Sequence, residues 1–243
     1  MRVFLLLWMF VVSAVAAAAG EPLRVVTSAW PPYVGRALPN KGFAAELVAT
    51  VFKRAGYRIN LTLDTWPRAL EGTVIGVFDV IGAVWHNEER SKHLTFSAPY
   101  LVNEVRFVQK KGQNIVFGDL GDLKGLMIGV VKDFDYDPAF NASKKLIKIQ
   151  QNHAVQNLIG LKQGTLDLTV GDVRSLRYDM TQFMPGSVEL FEFLDKPLAR
   201  RGLRIAVSKS NPKGAKIIAD FNQSLAVMKA DGSYQAILRR HRF

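Results

Sequence analysis

The hydrophobic pattern divides the chain into a leading apolar segment and a longer region where strand-like and helix-like patterns alternate. Arg2 is followed by an unbroken apolar run over residues 3–12 and then by small residues over 13–20. This order predicts a cleavable signal peptide over residues 1–20. The apolar run is shorter than the roughly 20 residues of a membrane-spanning helix, which disfavours a membrane anchor. We therefore expect residues 21–243 to form an exported mature protein.

Strand and helix patterns alternate in the first part of this mature region. Strands are predicted over residues 23–28, 58–63 and 78–84, and a helix over 43–55. Phe43, Leu47 and Val51 share one face of that helix, and Gly56 lies where a left-handed C-cap belongs. The alternation predicts β-α-β units and a mostly parallel sheet.

A second stretch repeats this alternation before the chain returns to the first. Strands are predicted over residues 126–131, 166–171 and 203–207, a helix over 152–163, and two further helices after Asn211 and after Asp231-Gly232. The predicted fold is α/β with two lobes: 21–108 with 203–243 as lobe one, and 109–202 as lobe two. Two extended crossings, near 106–111 and 199–205, are expected to join them as a hinge.

The charge and the residue composition exclude several classes of function. The formal net charge is +11, which falls to +10 without Arg2, but the basic pairs lie far apart and are not interleaved with aromatic residues, so we expect no nucleic-acid partner. The chain contains no cysteine, which excludes disulfides and lipid attachment through cysteine. The four histidines lack metal-ligand spacing, and no phosphate-binding, dinucleotide-binding or serine-nucleophile motif occurs. We expect no metal, no cofactor and no enzymatic activity.

Aromatic residues follow two of the predicted strands. Trp30-Pro31-Pro32-Tyr33 follows the first strand, and Trp66 follows the strand over 58–63. Open α/β sheets bind ligands at such strand ends. The two tryptophans therefore either form the wall of a ligand site or fill the core, as large aromatic residues often do.

Two charged residues also follow predicted buried strands. Arg90 could bind a carboxylate or a phosphate through its guanidinium fork, or form a surface ion pair with Glu88 or Glu89. Asp172 follows the strand that ends at Gly171 and could accept a ligand ammonium or cap the next helix. Both alternatives stay open for each residue.

Several motifs in this order resemble those of the bacterial extracellular solute-binding proteins of family 3, which serve polar amino-acid ABC transporters. The motifs are Trp30-Pro31-Pro32-Tyr33, Gly42-Phe43, Glu46-Leu47, Gly76-Val77-Phe78-Asp79, Glu89-Arg90, Phe96-Ser97-Ala98-Pro99-Tyr100, Gly164-Thr165-Leu166-Asp167 and Asp172. They span the whole mature region.

The resemblance implies a type II-like periplasmic binding protein that closes two lobes on a small molecule. In this family Arg90 falls at the position that binds the α-carboxylate, Asp172 at the position that binds the α-amino group, and Trp30 and Trp66 where aromatic rings enclose the side chain. The resemblance also implies delivery of the ligand to an inner-membrane ABC permease. With the predicted signal peptide and without cysteine, we expect a periplasmic monomer that is not a lipoprotein.

Two segments depart from the family pattern. Residues 132–136, Lys-Asp-Phe-Asp-Tyr, replace the usual Gly-Thr/Ser turn, and Gly82-Ala83-Val84-Trp85 replaces a Ser/Thr-rich run before Arg90. Besides the residues above, we expect the site to include Tyr33, Arg68, Trp85 and Asp133. The departures widen the expected ligand class from amino acids to small polar or zwitterionic solutes.

Two other functions fit the same scaffold. One is a periplasmic enzyme similar to cyclohexadienyl dehydratases, with Glu104, His86 or Asp172 as the acid or base. The other is a sensing module that presents its ligand-bound form to a membrane receptor.

Overall fold

One curled sheet organises the computed structural model, which describes residues 21–243; the predicted signal peptide lies outside the described residues. Ten strands of that region belong to the sheet: β1 (Leu23–Ser28), β2 (Ile59–Asp64), β3 (Val80–Trp85), β4 (Leu94–Phe96), β5 (Leu101–Lys110), β6 (Met127–Val131), β7 (Ile147–Gln151), β8 (Leu168–Asp172), β9 (Phe191–Phe193) and β10 (Ala199–Ser208). Their order is β2-β1-β3-β10-β5-β8-β6-β7, with β4 paired to β10 and β9 paired to β5.

Helices cover the sheet and connect its strands. They are α1 (Phe43–Arg54), α2 (Trp66–Val74), α3 (Glu88–Ser91), α4 (Pro138–Ala142), α5 (Ala154–Gln163), α6 (Val173–Phe183), α7 (Gly214–Ala230) and α8 (Ser233–Arg240). Short 3-10 turns occur at Pro39–Lys41, Leu120–Leu123 and Val188–Leu190. Within residues 21–243, no helix combines the length and the apolar character that crossing a bilayer requires.

Lobe one is built on the parallel strands β2, β1 and β3. β1 pairs with β2 from Leu23 opposite Ile59 to Ser28 opposite Asp64, and with β3 at Val25 and Val26. The predicted helix is confirmed, and its apolar stripe is fully buried under α7 and α8. The core of lobe one lies between this stripe and the sheet.

Lobe two repeats the arrangement with the parallel strands β7, β6 and β8, and α5 connects β7 to β8. Gly164 ends α5 in a left-handed conformation (φ 78°), as the sequence predicts. Seven helices and strands were not predicted: β4, β7, β9, α2, α3, α4 and α6. α6 begins directly after β8, so no polar loop marks its start.

Two ten-residue strands, β5 and β10, run from one lobe to the other. They pair with each other in antiparallel fashion from Leu101 opposite Leu203 to Val105 opposite Ala199. Beyond this segment β5 pairs with β8 of lobe two, whereas β10 pairs with β3 and β4 of lobe one. These are the two predicted crossings, and the pairing supports the proposed boundaries of 21–108, 109–202 and 203–243, which stay a prediction.

Gly42 fixes the loop that follows β1. Its φ is +97°, and a Cβ atom there would lie 2.5 Å from the carbonyl oxygen of Tyr33. Ala44 N donates to that same oxygen at 2.9 Å. Since any other residue at position 42 would be strained and would collide with this carbonyl, Gly42 lets the Trp30–Tyr33 segment lie against the start of α1.

Candidate functional site

Two cavities lie between the lobes, beside the carboxyl ends of the parallel strands. The first cavity, of about 610 Å³, is lined by Trp30 and Pro31 of lobe one and by residues of β6, β8, α5 and α6 of lobe two. The second cavity, of about 700 Å³, is lined by the ends of β1 and β2, by Trp66 and by Tyr178 of α6. Ala29 and Pro31 line both cavities, so the two form parts of one interlobe cleft whose size suits a small molecule.

An aromatic cluster closes one side of the first cavity. The ring centroids of Trp30 and Trp85 are 5.1 Å apart, and Phe134 of lobe two lies 6.2 Å from Trp30 and 5.2 Å from Trp85. Trp30 is half-buried and lines the cavity, whereas Trp85 is 5% exposed and belongs to the core. Trp30 therefore packs against the core and also lines the cavity, and its role toward a ligand stays a prediction.

Arg90 is held by backbone and aromatic contacts at the end of β3. Asn87 caps α3 by accepting a hydrogen bond from Arg90 N at 2.8 Å, and Arg90 Nη1 donates to the carbonyl of Trp85 at 2.7 Å. The guanidinium carbon lies 4.8 Å from the ring centroid of Trp66. Among the described residues, Arg90 Nε and Nη2 have no hydrogen-bond partner. This edge of the guanidinium has the geometry that binds a carboxylate through two parallel hydrogen bonds.

Charges from lobe two and from the crossing strand surround Arg90. Asp135 Oδ2 accepts hydrogen bonds from Asn87 Nδ2 at 2.9 Å and from Arg201 Nη2 at 2.7 Å. Burial lowers the pKa of Arg90, Asp135 raises it, and Arg201 lowers it further. Sequence analysis missed both Asp135 and Arg201. The only signal for Asp135 was its place in the unusual segment 132–136.

Asp172 accepts three hydrogen bonds from the protein itself. Its carboxylate accepts hydrogen bonds from Tyr33 Oη at 2.6 Å, from Ser175 N at 2.9 Å and from Asn103 Nδ2 at 2.9 Å. Burial raises its pKa, and these three donors together with Arg174 oppose that effect. The helix-cap interpretation is confirmed, because Asp172 is the N-cap of α6. Its role toward a ligand ammonium stays a prediction.

The other predicted site residues are spread around the cleft. Trp66 is half-buried and lines the second cavity. Tyr33 is fully buried and, like Trp85 and Arg90, is not among the residues that line either cavity. The side chain of Arg68 is 78% exposed and lies 3.4 Å from Asp64. Asp133 is exposed in a left-handed conformation (φ 60°). Within residues 21–243, neither Arg68 nor Asp133 lines either cavity, and their roles stay predictions.

Sequence analysis also missed a carboxylate inside the first cavity. Asp179 lies on the face of α6 that carries Ser175, Leu176 and Phe183, all of which line this cavity. Burial raises the pKa of Asp179 to about 6, and His153 opposes the shift. If a helix had been predicted over residues 173–183, Asp179 would have been assigned to the same face as these residues. The helix was not predicted because α6 begins directly after β8, with no polar loop between them.

Of the three residues proposed for an enzymatic alternative, Asp172 lines the first cavity, whereas Glu104 and His86 line neither. Glu104 pairs with Arg106 at 2.9 Å and with Arg200 at 3.0 Å on β5 and β10, and it lines neither cavity. His86 is exposed and lies 2.8 Å from Ser91 Oγ. Within residues 21–243 no group of three or more histidine or carboxylate side chains is arranged to hold a metal ion.

Comparisons with known proteins agree with this architecture. The chain is 26% identical over 226 residues to the ABC transporter arginine-binding protein 1 of Escherichia coli (strain K12), covering 91% of this chain and 90% of that protein. It is 23% identical over 222 residues to the L-cystine-binding protein TcyJ of the same strain, covering 90% and 81%. The solved structure of an ancestral arginine-binding protein bound to arginine superposes with a TM-score of 0.72 at 25% identity, covering 91% of this chain and 98% of that one.

The match to a family model covers nearly all of the described residues. The model of the bacterial extracellular solute-binding proteins, family 3, matches residues 23–242. The motifs, the two-lobed fold and the cleft between the lobes are those expected of such a protein. The chain therefore belongs to the bacterial extracellular solute-binding proteins of family 3.

Proposed function

We propose that this protein captures a zwitterionic solute, an amino acid or a close analogue, in its interlobe cleft for delivery to an ABC permease. The observation that carries the proposal is the orientation of Arg90. Its guanidinium is held by the Trp85 carbonyl and by the ring of Trp66, while the Nε–Nη2 edge has no partner among the described residues. A partly buried cation with such an edge is well suited to a carboxylate.

The two relatives support an amino-acid ligand. One is an arginine-binding protein and the other a cystine-binding protein, and both ligands carry an α-carboxylate and an α-ammonium. The side chains of arginine and cystine differ, so the feature that the two ligands share is the α-carboxylate together with the α-ammonium. That is the part of the ligand that Arg90 is suited to hold.

The two strands that join the lobes allow the lobes to close on a ligand. β5 and β10 form the hinge, and the lobes meet through Tyr33 with Asp172, Asn87 with Asp135, and Ser175 Oγ with the carbonyl of Pro31 at 2.9 Å. A ligand that touches both lobes stabilises this closed arrangement by its greater affinity for it. The closed form is then what the permease recognises.

The proposed location is the periplasm, reached through removal of the signal peptide over residues 1–20, and the proposed state is a monomer. Mass spectrometry of protein recovered from the periplasm measures both the cleavage site and the mass of the native particle. A native mass of twice the mature chain, or retention of residues 1–20, would contradict these two proposals.

The ligand class is tested by thermal-shift screening of L-amino acids and related zwitterions, followed by calorimetry. A ligand at 100 times its Kd should stabilise the protein by about 2.7 kcal/mol. Arg90→Ala should weaken binding by about 100-fold because it removes a bidentate, charge-assisted contact. Arg239→Ala, at an exposed position on α8, is the matched control and should bind as wild type does. Equal binding by Arg90→Ala would show that Arg90 does not hold the carboxylate.

A further inference from the structure

Asp179 differs from the other carboxylate of the first cavity in its hydrogen bonding. Both carboxylates line the cavity. The oxygens of Asp172 accept three hydrogen bonds from Tyr33, Ser175 and Asn103. Among the described residues, the side chain of Asp179 has no hydrogen-bond partner and no ion-pair partner. A desolvated carboxylate without partners costs free energy, which a cationic group in the cavity would recover.

The walls of the cavity also suit a cation. Aromatic rings line it on several sides and come from both lobes: Trp30, Phe134, Tyr136 and Phe183. Such rings attract ammonium and guanidinium groups through their negative faces. His153 at the start of α5 is the titratable neighbour that acts on the pKa of Asp179, and it is exposed.

The position of Asp179 relative to Arg90 indicates which part of the ligand it meets. Arg90 belongs to lobe one and lies against Trp66, which lines the second cavity, whereas Asp179 belongs to lobe two and lines the first. The two cavities share Ala29 and Pro31. The resemblance gives the α-ammonium to Asp172, the N-cap of α6, and Asp179 lies seven residues, about 10 Å, farther along that helix. Because the α-ammonium and the α-carboxylate are attached to the same carbon, a group that meets Asp179 belongs to the side chain.

We propose that Asp179 binds the cationic side-chain group, an ammonium or a guanidinium, of an amino acid whose α-carboxylate is held by Arg90. This inference rests on the proposed function and names the substrate class: amino acids with a positively charged side chain. Asp179 thereby determines the specificity for the ligand's side chain, whereas Arg90 can bind the α-carboxylate of any α-amino acid.

The test compares charged ligands with neutral analogues of similar shape. Calorimetry measures Kd for L-arginine against L-citrulline and for L-lysine against L-norleucine, with wild type and Asp179→Asn. Wild type should prefer the charged member of at least one pair by 10-fold or more. Asp179→Asn should remove that preference by weakening the charged member, leaving the neutral member unchanged. Asp195→Asn, which removes an exposed carboxylate of lobe two, is the control and should keep the preference.

Other outcomes separate this inference from the proposed function. Agmatine keeps the guanidinium but lacks the carboxylate, so if it binds as tightly as L-arginine, the Arg90 assignment fails and that of Asp179 stands. Loss of the preference in Asp172→Asn but not in Asp179→Asn would place the cation at Asp172 and overturn the inference. A wild-type protein that prefers neither charged ligand would overturn it as well. Because Asp179 has no partner to lose, Asp179→Asn should fold as wild type does, and thermal unfolding checks this.

Discussion

The Tyr33 hydroxyl donates a hydrogen bond to Asp172 Oδ1 at 2.6 Å and thereby joins the two lobes. Asn103 on the crossing strand β5 donates to Asp172 Oδ2 at 2.9 Å, and the indole N–H of Trp85 donates to Asn103 Oδ1 at 3.0 Å. These four buried side chains form one network from lobe one, through the hinge, to lobe two. Asp172 therefore takes part in holding the closed arrangement.

Removing the hydroxyl of Tyr33 should weaken lobe closure. Tyr33→Phe takes one donor from a buried carboxylate, so we expect a loss of about 1–3 kcal/mol in the free energy of unfolding, measured by urea denaturation. Small-angle scattering should also give a larger radius of gyration, because the open form gains population. Tyr100→Phe is the control: its hydroxyl donates to the carbonyl of Gly82 within lobe one, so the radius should not change. An unchanged radius in Tyr33→Phe would argue against a role in closure.

Asp135 and Arg201 should be energetically coupled. Their side chains are only 17% and 11% exposed, and the Oδ2–Nη2 distance is 2.7 Å. A double-mutant cycle with Asp135→Asn and Arg201→Met, measured by urea denaturation, should give a coupling energy of about 1–3 kcal/mol. The exposed pair Glu89 and Lys92 is the comparison and should give a clearly smaller coupling energy, because solvent screens it. Equal coupling in the two pairs would mean that burial does not strengthen the Asp135 contact.

Arg90→Lys should bind the ligand more weakly than wild type although the positive charge is kept. A lysine ammonium cannot present two parallel N–H groups to a carboxylate, and it stacks less well on Trp66. We expect Kd to rise about 10-fold, less than in Arg90→Ala, as measured by calorimetry. Arg239→Lys makes the same exchange at an exposed position and should leave Kd unchanged. Wild-type affinity in Arg90→Lys would mean that a positive charge at position 90 is sufficient for ligand binding.

Asp179 should make the stability of the ligand-free protein depend on pH. Its pKa is raised from 3.8 to about 6 by burial, so the folded state binds the proton more tightly than the unfolded state. The ionised carboxylate therefore destabilises the fold above about pH 6, and this cost disappears as the pH falls toward about 4.

The contribution of Asp179 to this pH dependence is measured by comparing the thermal unfolding of wild type with that of Asp179→Asn. The variant should be more stable by about 1–2 kcal/mol above pH 6 and equally stable near pH 4, after allowance for solvent screening of a partly exposed group. Tyr136 and Asp172, which also line the cavity, are common to both proteins and cancel in the difference, whereas the charge of His153 opposes the effect of burial on Asp179 and stays part of the difference. A difference that does not change with pH would contradict the raised pKa.

Local patterns predicted the elements whose periodicity is strong. The stripe of α1 and the strand β1 were found at nearly the observed bounds, since each buries one continuous apolar set. β7 was missed because its apolar residues alternate over only five positions, Ile147–Gln151. α6 was missed because it follows a buried strand without a polar loop, and Asp179 was missed with it.

The sequence by itself determined the strands and helices with a strong periodic pattern, the places where aromatic and charged residues follow those strands, and the family to which the motifs are similar. These properties depend on neighbouring residues and on the alternation of apolar and polar positions. Only the tertiary structure decided which polar and charged side chains contact each other. Tyr33 and Asp172 are 139 residues apart in the chain, and Asn87 and Asp135 are 48 apart. The strand order β3-β10-β5-β8 brings such pairs together, so their partners, their burial and the unpaired state of Asp179 depend on how the two lobes pack.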